Sequence, residues 1–468
     1  MSARRRNVLG LWMNGLFVGH WKRPSHMSET LHYAPEWVQH PLGRPLSLSL
    51  PFPPDDQPIS GPAVRAFFEN LLPDSQGIRE RIAQRYRTPT TEAFDLLAEI
   101  GHDCVGALQI LPDGMTPHDF PQREATPLSS ADIASLLRRS VSRSDILHPY
   151  DGDADDFRIS LAGAQEKTAL LFQNGQWFRP HGNLPTTHIL KLPIGLVGNM
   201  QLDLRHSIEN EWLCTEILRE FGLKTAHCAP LQFDDQKVLA VQRFDRRWSH
   251  PHGERRHADA AGSADLPMPT SARLLRLPQE DMCQALGVPP HLKYESDGGP
   301  GMDRILSLLL HSDNAKEDRL TFFQAQILFW MLCATDGHAK NFSLMLLPQG
   351  HYTLAPLYDV MSAYPVLGEG PGKLSPHRAR LAMAVRGKQA HWRMRDILRR
   401  HWIGLAERHG VIGMNNESAA EIIDTLAVRT TIVIENIRNR LPPGFPHPVA
   451  DTVLQGLQRA ADRLLQQH

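Results

Sequence analysis

A chain of 468 residues, 41% hydrophobic and 22% charged, has the mix of a folded globular protein and enough length for two or three cores. Its net charge of −1 excludes a global electrostatic pull toward nucleic acid or membrane, so any such contact must come from a local patch or a partner. The five cysteines lack CxxC spacing and the 24 histidines contain no HExxH pair, which argues against a zinc site or disulfide frame. No apolar run approaches the roughly 18–20 residues that span a bilayer, and the reading for compartment is cytoplasmic with no membrane partner.

Val8 to Met13 and Leu16 to Trp21 read as a hairpin, because Asn14-Gly15 supplies the positive φ angles of a two-residue turn. The alternation Arg44-Pro45-Leu46-Ser47-Leu48-Ser49-Leu50 predicts a strand, ended by Pro51-Phe52-Pro53-Pro54. Helices are predicted over 63–72, 78–86 and 91–100, then a strand over 106–111 and a helix over 131–137. A polar linker over 149–156 closes a first unit, 1–150, of mixed α/β type. Strands follow over 169–172, 177–178 and 188–192, then a helix over 208–221 with Gly222 at C′, then strands over 231–233 and 238–244. These define a β-rich small lobe, 151–270, whose end from Arg246-Arg247-Trp248 onward reads as a Gly-, His- and Pro-rich loop. From 271 to 468 the pattern is that of an all-helical lobe, with helices over 282–286, 304–310, 319–334, 392–409, 418–439 and 451–466, interrupted by a hairpin between Phe342 and Leu354. The class is α+β: a bilobal, protein-kinase-like fold preceded by an α/β subdomain.

The chemistry concentrates after the apolar run Ile327 to Ala334. In Asp336-Gly337-His338-Ala339-Lys340-Asn341, an aspartate, four residues and an asparagine have the spacing kinases use at a helix end. There the carboxylate accepts the acceptor-hydroxyl proton and the amide oxygen holds magnesium. Asp359, in Leu357-Tyr358-Asp359-Val360, stands where a hairpin returning to its base would bring a second hard oxygen ligand. Lys191, on a strand, precedes a helix carrying Glu209 and Glu211, either of which is placed to pair with it. Ala162-Gly163-Ala164-Gln165-Glu166-Lys167 is a small-residue loop that permits backbone N–H groups to face an anion, although it is neither a Walker A loop nor G-x-G-x-x-G. Gln242-Arg243-Phe244 sits where a hinge would offer backbone groups to adenine.

Four long segments resemble the HipA family: Ile159 to Leu171, Leu277 to Gln284, Lys293 to Gly301 and Ala334 to Phe342. Arg44 to Leu50 and Asn70 to Ser75 resemble its N-terminal pattern, and the likeness fades after about Arg386. The family comprises serine/threonine-kinase toxins of toxin–antitoxin modules. The resemblance implies ATP and Mg2+ as cofactors and Asp336 as proton acceptor, with Asn341 and Asp359 as metal ligands. It implies ATP contacts from Ala162, Gly163, Ala164, Gln165, Glu166, Lys167, Lys191, Gln242, Arg243, Phe244, Asp336 and His338. It further implies autophosphorylation on Ser160, glutamyl-tRNA synthetase as protein substrate, a HipB-type helix-turn-helix antitoxin as partner, and operator DNA contacted through that complex. Gln242 departs from the family pattern, which has an acidic residue there. Two other readings compete: a small-molecule or lipid-type kinase, since D-x-H-x-x-N also occurs in those, and a nucleotide-dead corepressor. For the latter, basic residues at Arg378, Arg380, Arg386, Lys388, Arg393, Arg395, Arg399 and Arg400 offer a phosphate-binding patch, against the simpler reading of a solvated helix face.

Overall fold

The computed structural model describes residues 7–24, 28–120, 124–141, 165–197, 201–249 and 273–467. The N-terminal unit is a five-stranded antiparallel sheet in the order Ile59–Ser60, Thr30–Tyr33, Leu16–Lys22, Val8–Met13, Leu108–Pro112. Helices Pro62–Glu69 and Ala93–Ile100 cover it. The Trp21 ring stacks on Phe68 with centroids 3.6 Å apart and meets Phe94 at 4.7 Å, and all three are fully buried. Large aromatic bodies at the sheet–helix contact give this unit a core of its own.

Arg44 to Leu50 does not form the predicted strand. Its donors are taken by side chains and local turns instead of a ladder. Leu46 N donates to Tyr33 Oη (2.8 Å), Leu48 N to Glu280 Oε1 (2.9 Å) and Leu50 N to Ser47 O (3.0 Å). The segment is a buried loop that plugs the N-terminal unit onto the C-terminal lobe, where Arg44 Nη1 donates to Leu346 O at 2.7 Å.

The small lobe is built on a six-stranded sheet in the order Cys228–Phe233, Gln236–Gln242, His188–Lys191, Lys167–Gln173, Gln176–Pro180, Ala125–Leu128. Ala125–Leu128 and helix Ser130–Val141, which the sequence reading assigns to the first unit, pack here: Leu128, Ile133 and Leu137 share a core with Leu170, Leu190 and Val238. Arg246–Ser249 is a strand paired with Arg273–Arg276, where the sequence pattern predicts only loop. Helix Ser207–Glu220 joins the lobes. Ile208 packs with Leu239 and Val241 of the sheet, while Leu213, Ile217 and Leu218 belong to the core of the C-terminal lobe.

That lobe is mostly, not entirely, helical. Besides helices Met302–Leu309, Ala315–Met331, Arg399–His409, Ala419–Arg440 and His447–Gln466 it holds a three-stranded sheet and the hairpin Arg380–Arg386/Ala390–Arg393. The sheet consists of Gln279–Asp281, Ser343–Leu346 and Tyr352–Leu354, of which the last two form the hairpin expected between Phe342 and Leu354. The expected helix from Trp392 therefore starts only at Arg399; Trp392 lies in the hairpin.

Candidate active site

Lys191 lies on an interior strand and is buried. A lone ammonium is costly there, and its partners remove the cost: Nζ bonds Glu211 Oε1 at 2.6 Å and Asp359 Oδ1 at 2.8 Å. Burial works to lower this ammonium, but Asp359 and Glu211 outweigh it and hold it protonated above the ordinary lysine value. Of the two glutamates open to the sequence reading, Glu211 is the partner; Glu209 pairs with Lys237. Lys167 stands directly across the ladder from Lys191, and burial together with that neighbouring charge brings it down to about 8. Two cations facing each other on paired strands suit a phosphate chain.

Helix Ala315–Met331 ends through Leu332 and Cys333, whose φ of +51° turns the chain sharply. The turn presents Asp336 with a side chain 58% exposed. Its carbonyl accepts from His338 N at 2.8 Å and from Asn341 Nδ2 at 2.7 Å. His338 is buried, and burial lowers its imidazole below the ordinary value, so it stands neutral in the pocket. Its Nε2 is 4.0 Å from Asp336 Oδ1, beyond hydrogen-bond range. Gly337 is required: a Cβ there would lie 2.5 Å from the Phe329 ring.

Asp359 is delivered next to this turn by its neighbour. Tyr358 Oη donates to Lys340 O at 2.9 Å and shares a hydrogen bond with Ser343 Oγ at 2.6 Å. Asp359 itself has φ +61°. Burial would raise its carboxyl, but Lys191 overrides this and holds it at about 2, fully ionised. Lys191 and Asp359 form one ion pair and Asp336 and Asn341 one hydrogen-bonded turn, and Tyr358, next to Asp359, bonds the carbonyl of Lys340, next to Asn341. Magnesium fits this donor set. The amide nitrogen of Asn341 is spent on Asp336 O, which leaves Oδ1 as its free hard donor, and Asp359 adds a carboxylate. Among the described residues no cluster of three or more His, Cys, Asp or Glu could hold a metal.

The remaining expected contacts divide. Ser160, Ala162, Gly163 and Ala164, and most of the 149–156 linker and 248–271 loop, lie outside the described residues. At the described end of the phosphate loop, Gln165 Nε2 donates to Leu192 O and Glu166 is paired with Arg81 of helix Gln76–Tyr86. Gln242 is exposed at the end of its strand, and Phe244 packs against Tyr358 with centroids 5.7 Å apart. The Arg243 side chain is committed elsewhere, and its backbone is occupied as well: N donates to Thr187 O at 2.9 Å and O accepts from Arg246 N at 3.3 Å. The Arg243 guanidinium bonds Asp245 Oδ2 (2.8 Å), Thr186 Oγ1 (2.9 Å), Asp103 Oδ2 (3.1 Å) and Cys104 O (2.8 Å). Of the basic patch, Arg399 is buried against Asp424 and Arg386 is paired with Glu295.

Sequence reasoning missed two features. One is the buried cluster in which Asp103 and Asp245 meet Arg243, Arg246 and Arg276, joining the N-terminal unit to the hinge. The other is Tyr294, whose hydroxyl donates to Asp336 Oδ1.

Two lobes, a lysine–glutamate pair in the upper one and a helix-end aspartate with an asparagine in the lower one define a kinase-like phosphotransfer scaffold. Residues 159–433 match the HipA-like C-terminal domain and residues 9–111 the HipA N-terminal domain, so the chain belongs to the HipA family of serine/threonine-kinase toxins. It is 34% identical over 366 residues to a putative kinase, Y4mE, of Sinorhizobium fredii, covering 77% of this chain and 79% of that one. It is 26% identical over 378 residues to the serine/threonine-protein kinase toxin HipA of Shewanella oneidensis, covering 77% and 76%. A solved complex of Shewanella HipA, HipB and operator DNA matches in fold, with a TM-score of 0.75 at 22% identity over 98% of this chain and 97% of that one.

Proposed function

We propose that this chain is an ATP- and Mg2+-dependent serine/threonine kinase of a toxin–antitoxin pair, acting on glutamyl-tRNA synthetase and on its own Ser160. The observation that carries the reading is Lys191, buried and charged between Glu211 and Asp359, with Asp359 tied through Tyr358 to the Asp336–Asn341 turn. A nucleotide-dead corepressor has no use for such an arrangement.

In this reading Asp336 takes the proton of the acceptor hydroxyl as its oxygen bonds the γ-phosphorus and the bond to the ADP oxygen breaks. Lys191 and Lys167 hold the phosphates, and Glu211 fixes the lysine. Asn341 and Asp359 would hold magnesium, which would neutralise charge on the phosphates. A phosphate on Ser160 would add roughly −1.5 to −2 charge beside the phosphate loop and oppose nucleotide binding. A HipB-type antitoxin as partner, and operator DNA contacted through it, follow from the family and from the relative solved in that assembly. In the same reading the nucleotide-gripping lobe, expected as 151–270, also takes in Ala125–Leu128 and helix Ser130–Val141, the first unit lies ahead of them, and 271–468 is the catalytic lobe.

Calorimetry with Mg-ATP tests the nucleotide site: Lys191→Met should weaken binding about tenfold or more, through loss of a charge-assisted phosphate contact. Equal affinity in the variant would refute the assignment. Intact-mass analysis of purified glutamyl-tRNA synthetase after incubation with the protein and ATP tests the substrate, with one added phosphate expected.

A further inference from the structure

Three consecutive residues, Lys293-Tyr294-Glu295, are each anchored to a different part of the molecule. Lys293 Nζ bonds Asp74 Oδ2 at 2.8 Å, in the connection between helices Pro62–Glu69 and Gln76–Tyr86 of the N-terminal unit. Glu295 Oε2 accepts from Ala384 N at 2.6 Å and Oε1 from Arg386 Nε at 2.9 Å, staking the loop to the hairpin of the C-terminal lobe. Between them the Tyr294 hydroxyl donates to Asp336 Oδ1, and its ring meets His338 edge-on with centroids 5.0 Å apart.

The loop is built to hold that pose. Gly298 has φ +97°, and a Cβ on Gly299 would lie 1.9 Å from Leu292 O. A Cβ on Gly301 would lie 2.4 Å from the Glu295 carboxyl carbon. The catalytic turn is fastened to the same places: Ala339 N donates to Lys293 O at 3.3 Å, and Lys340 Nζ reaches Asp74 Oδ1 at 3.2 Å and Asn70 Oδ1 at 3.0 Å.

We infer that Tyr294 is a positioning residue for phosphoryl transfer: its hydroxyl fixes the rotamer of Asp336, engages Oδ1, and leaves Oδ2 to take the acceptor proton. The inference rests on the reading of Asp336 as proton acceptor. A carboxylate this exposed otherwise turns freely about two side-chain bonds, and a reacting group even slightly misplaced loses rate. Burial and the Asp336 charge both raise the Tyr294 phenol, so it remains a donor at neutral pH. The Lys293–Asp74 tie makes the N-terminal unit part of the mechanism that sets this pose.

The test is Mg-ATP turnover by the full chain. Tyr294→Phe keeps the ring and removes the donor, and a hydrogen bond to a charged group is strong enough to change a rate about tenfold. kcat should fall about tenfold while KM for ATP stays within about twofold and the melting temperature is unchanged. A purely structural role would move KM and melting temperature together, and an unchanged kcat overturns the inference. Lys293→Met, which leaves the phenol and frees its tether, should lower kcat in the same direction at constant KM. If Tyr294→Phe proves unstable, an unchanged kcat in Lys293→Met overturns it instead. Asp336→Asn separates the two ideas. Turnover retained there refutes the proton acceptor. Turnover lost there, with wild-type kcat in Tyr294→Phe, refutes only the role of the tyrosine.

Discussion

Asp336→Asn should lower phosphoryl transfer by about 10²- to 10⁴-fold, the range over which a positioned proton acceptor contributes. The amide matches the carboxylate in size, so the fold should be retained. The hydrogen bonds that Asp336 receives from His338 and Asn341 go to its backbone carbonyl, which the substitution leaves in place. Mg-ATP affinity should therefore change little. Rate and affinity measured together check this: loss of turnover with binding preserved assigns the residue to the chemical step. A variant as active as wild type would leave Asp336 without that role.

Asp103→Ala should destabilise the protein by about 3–5 kcal/mol, the cost of removing one member of a buried ionic cluster. Asp103 receives Arg246 Nη2 at 2.6 Å, Arg243 Nη1 at 3.1 Å, Arg276 Nε at 3.2 Å and Thr186 Oγ1 at 2.8 Å. Without it only Asp245, Thr186 Oγ1 and backbone carbonyls remain to face three guanidiniums. Burial pulls Arg276 down to about 10, which still leaves it charged at neutral pH. Burial also tends to raise the Asp103 carboxyl, but Arg246, Arg243 and Arg276 hold it well below the ordinary carboxylate range. A group depressed in the folded state stabilises fully above its unfolded value, about 4 for aspartate, and loses that contribution as pH falls further. Urea unfolding at neutral pH should therefore show the whole difference, and the two proteins should converge as pH drops below about 4.

The catalytic turn was legible because its chemistry is compressed into six residues after an apolar helix. The return of Asp359 toward the Asp336–Asn341 turn was expected from a spacing, since a hairpin comes back to its base; its ion pair with Lys191 of the other lobe was not. What escaped had no local signature. Tyr294 lies 42 residues from Asp336 in sequence, and the likeness of its segment, Lys293 to Gly301, to the family assigns the tyrosine no role. Glu209 and Glu211 sit two apart on one helix, and which faces Lys191 depends on a rotation set by Ile208 and Leu213 packing against different lobes. Alternation misled at Arg44 to Leu50, because a loop with donors capped by Tyr33 and Glu280 leaves the same imprint as a strand. Arg246–Ser249 was missed because its partner strand begins only at Arg273, past a stretch whose composition reads as loop.

The N-terminal unit grips both halves of the cleft: Asp103 holds the hinge arginines from one side, and Asp74 and Asn70 hold Lys293 and Lys340 from the other. A shortened chain beginning at the small lobe would accordingly inherit orphaned guanidiniums and ammoniums in newly wetted pockets. It would behave as a wounded remnant rather than a minimal enzyme.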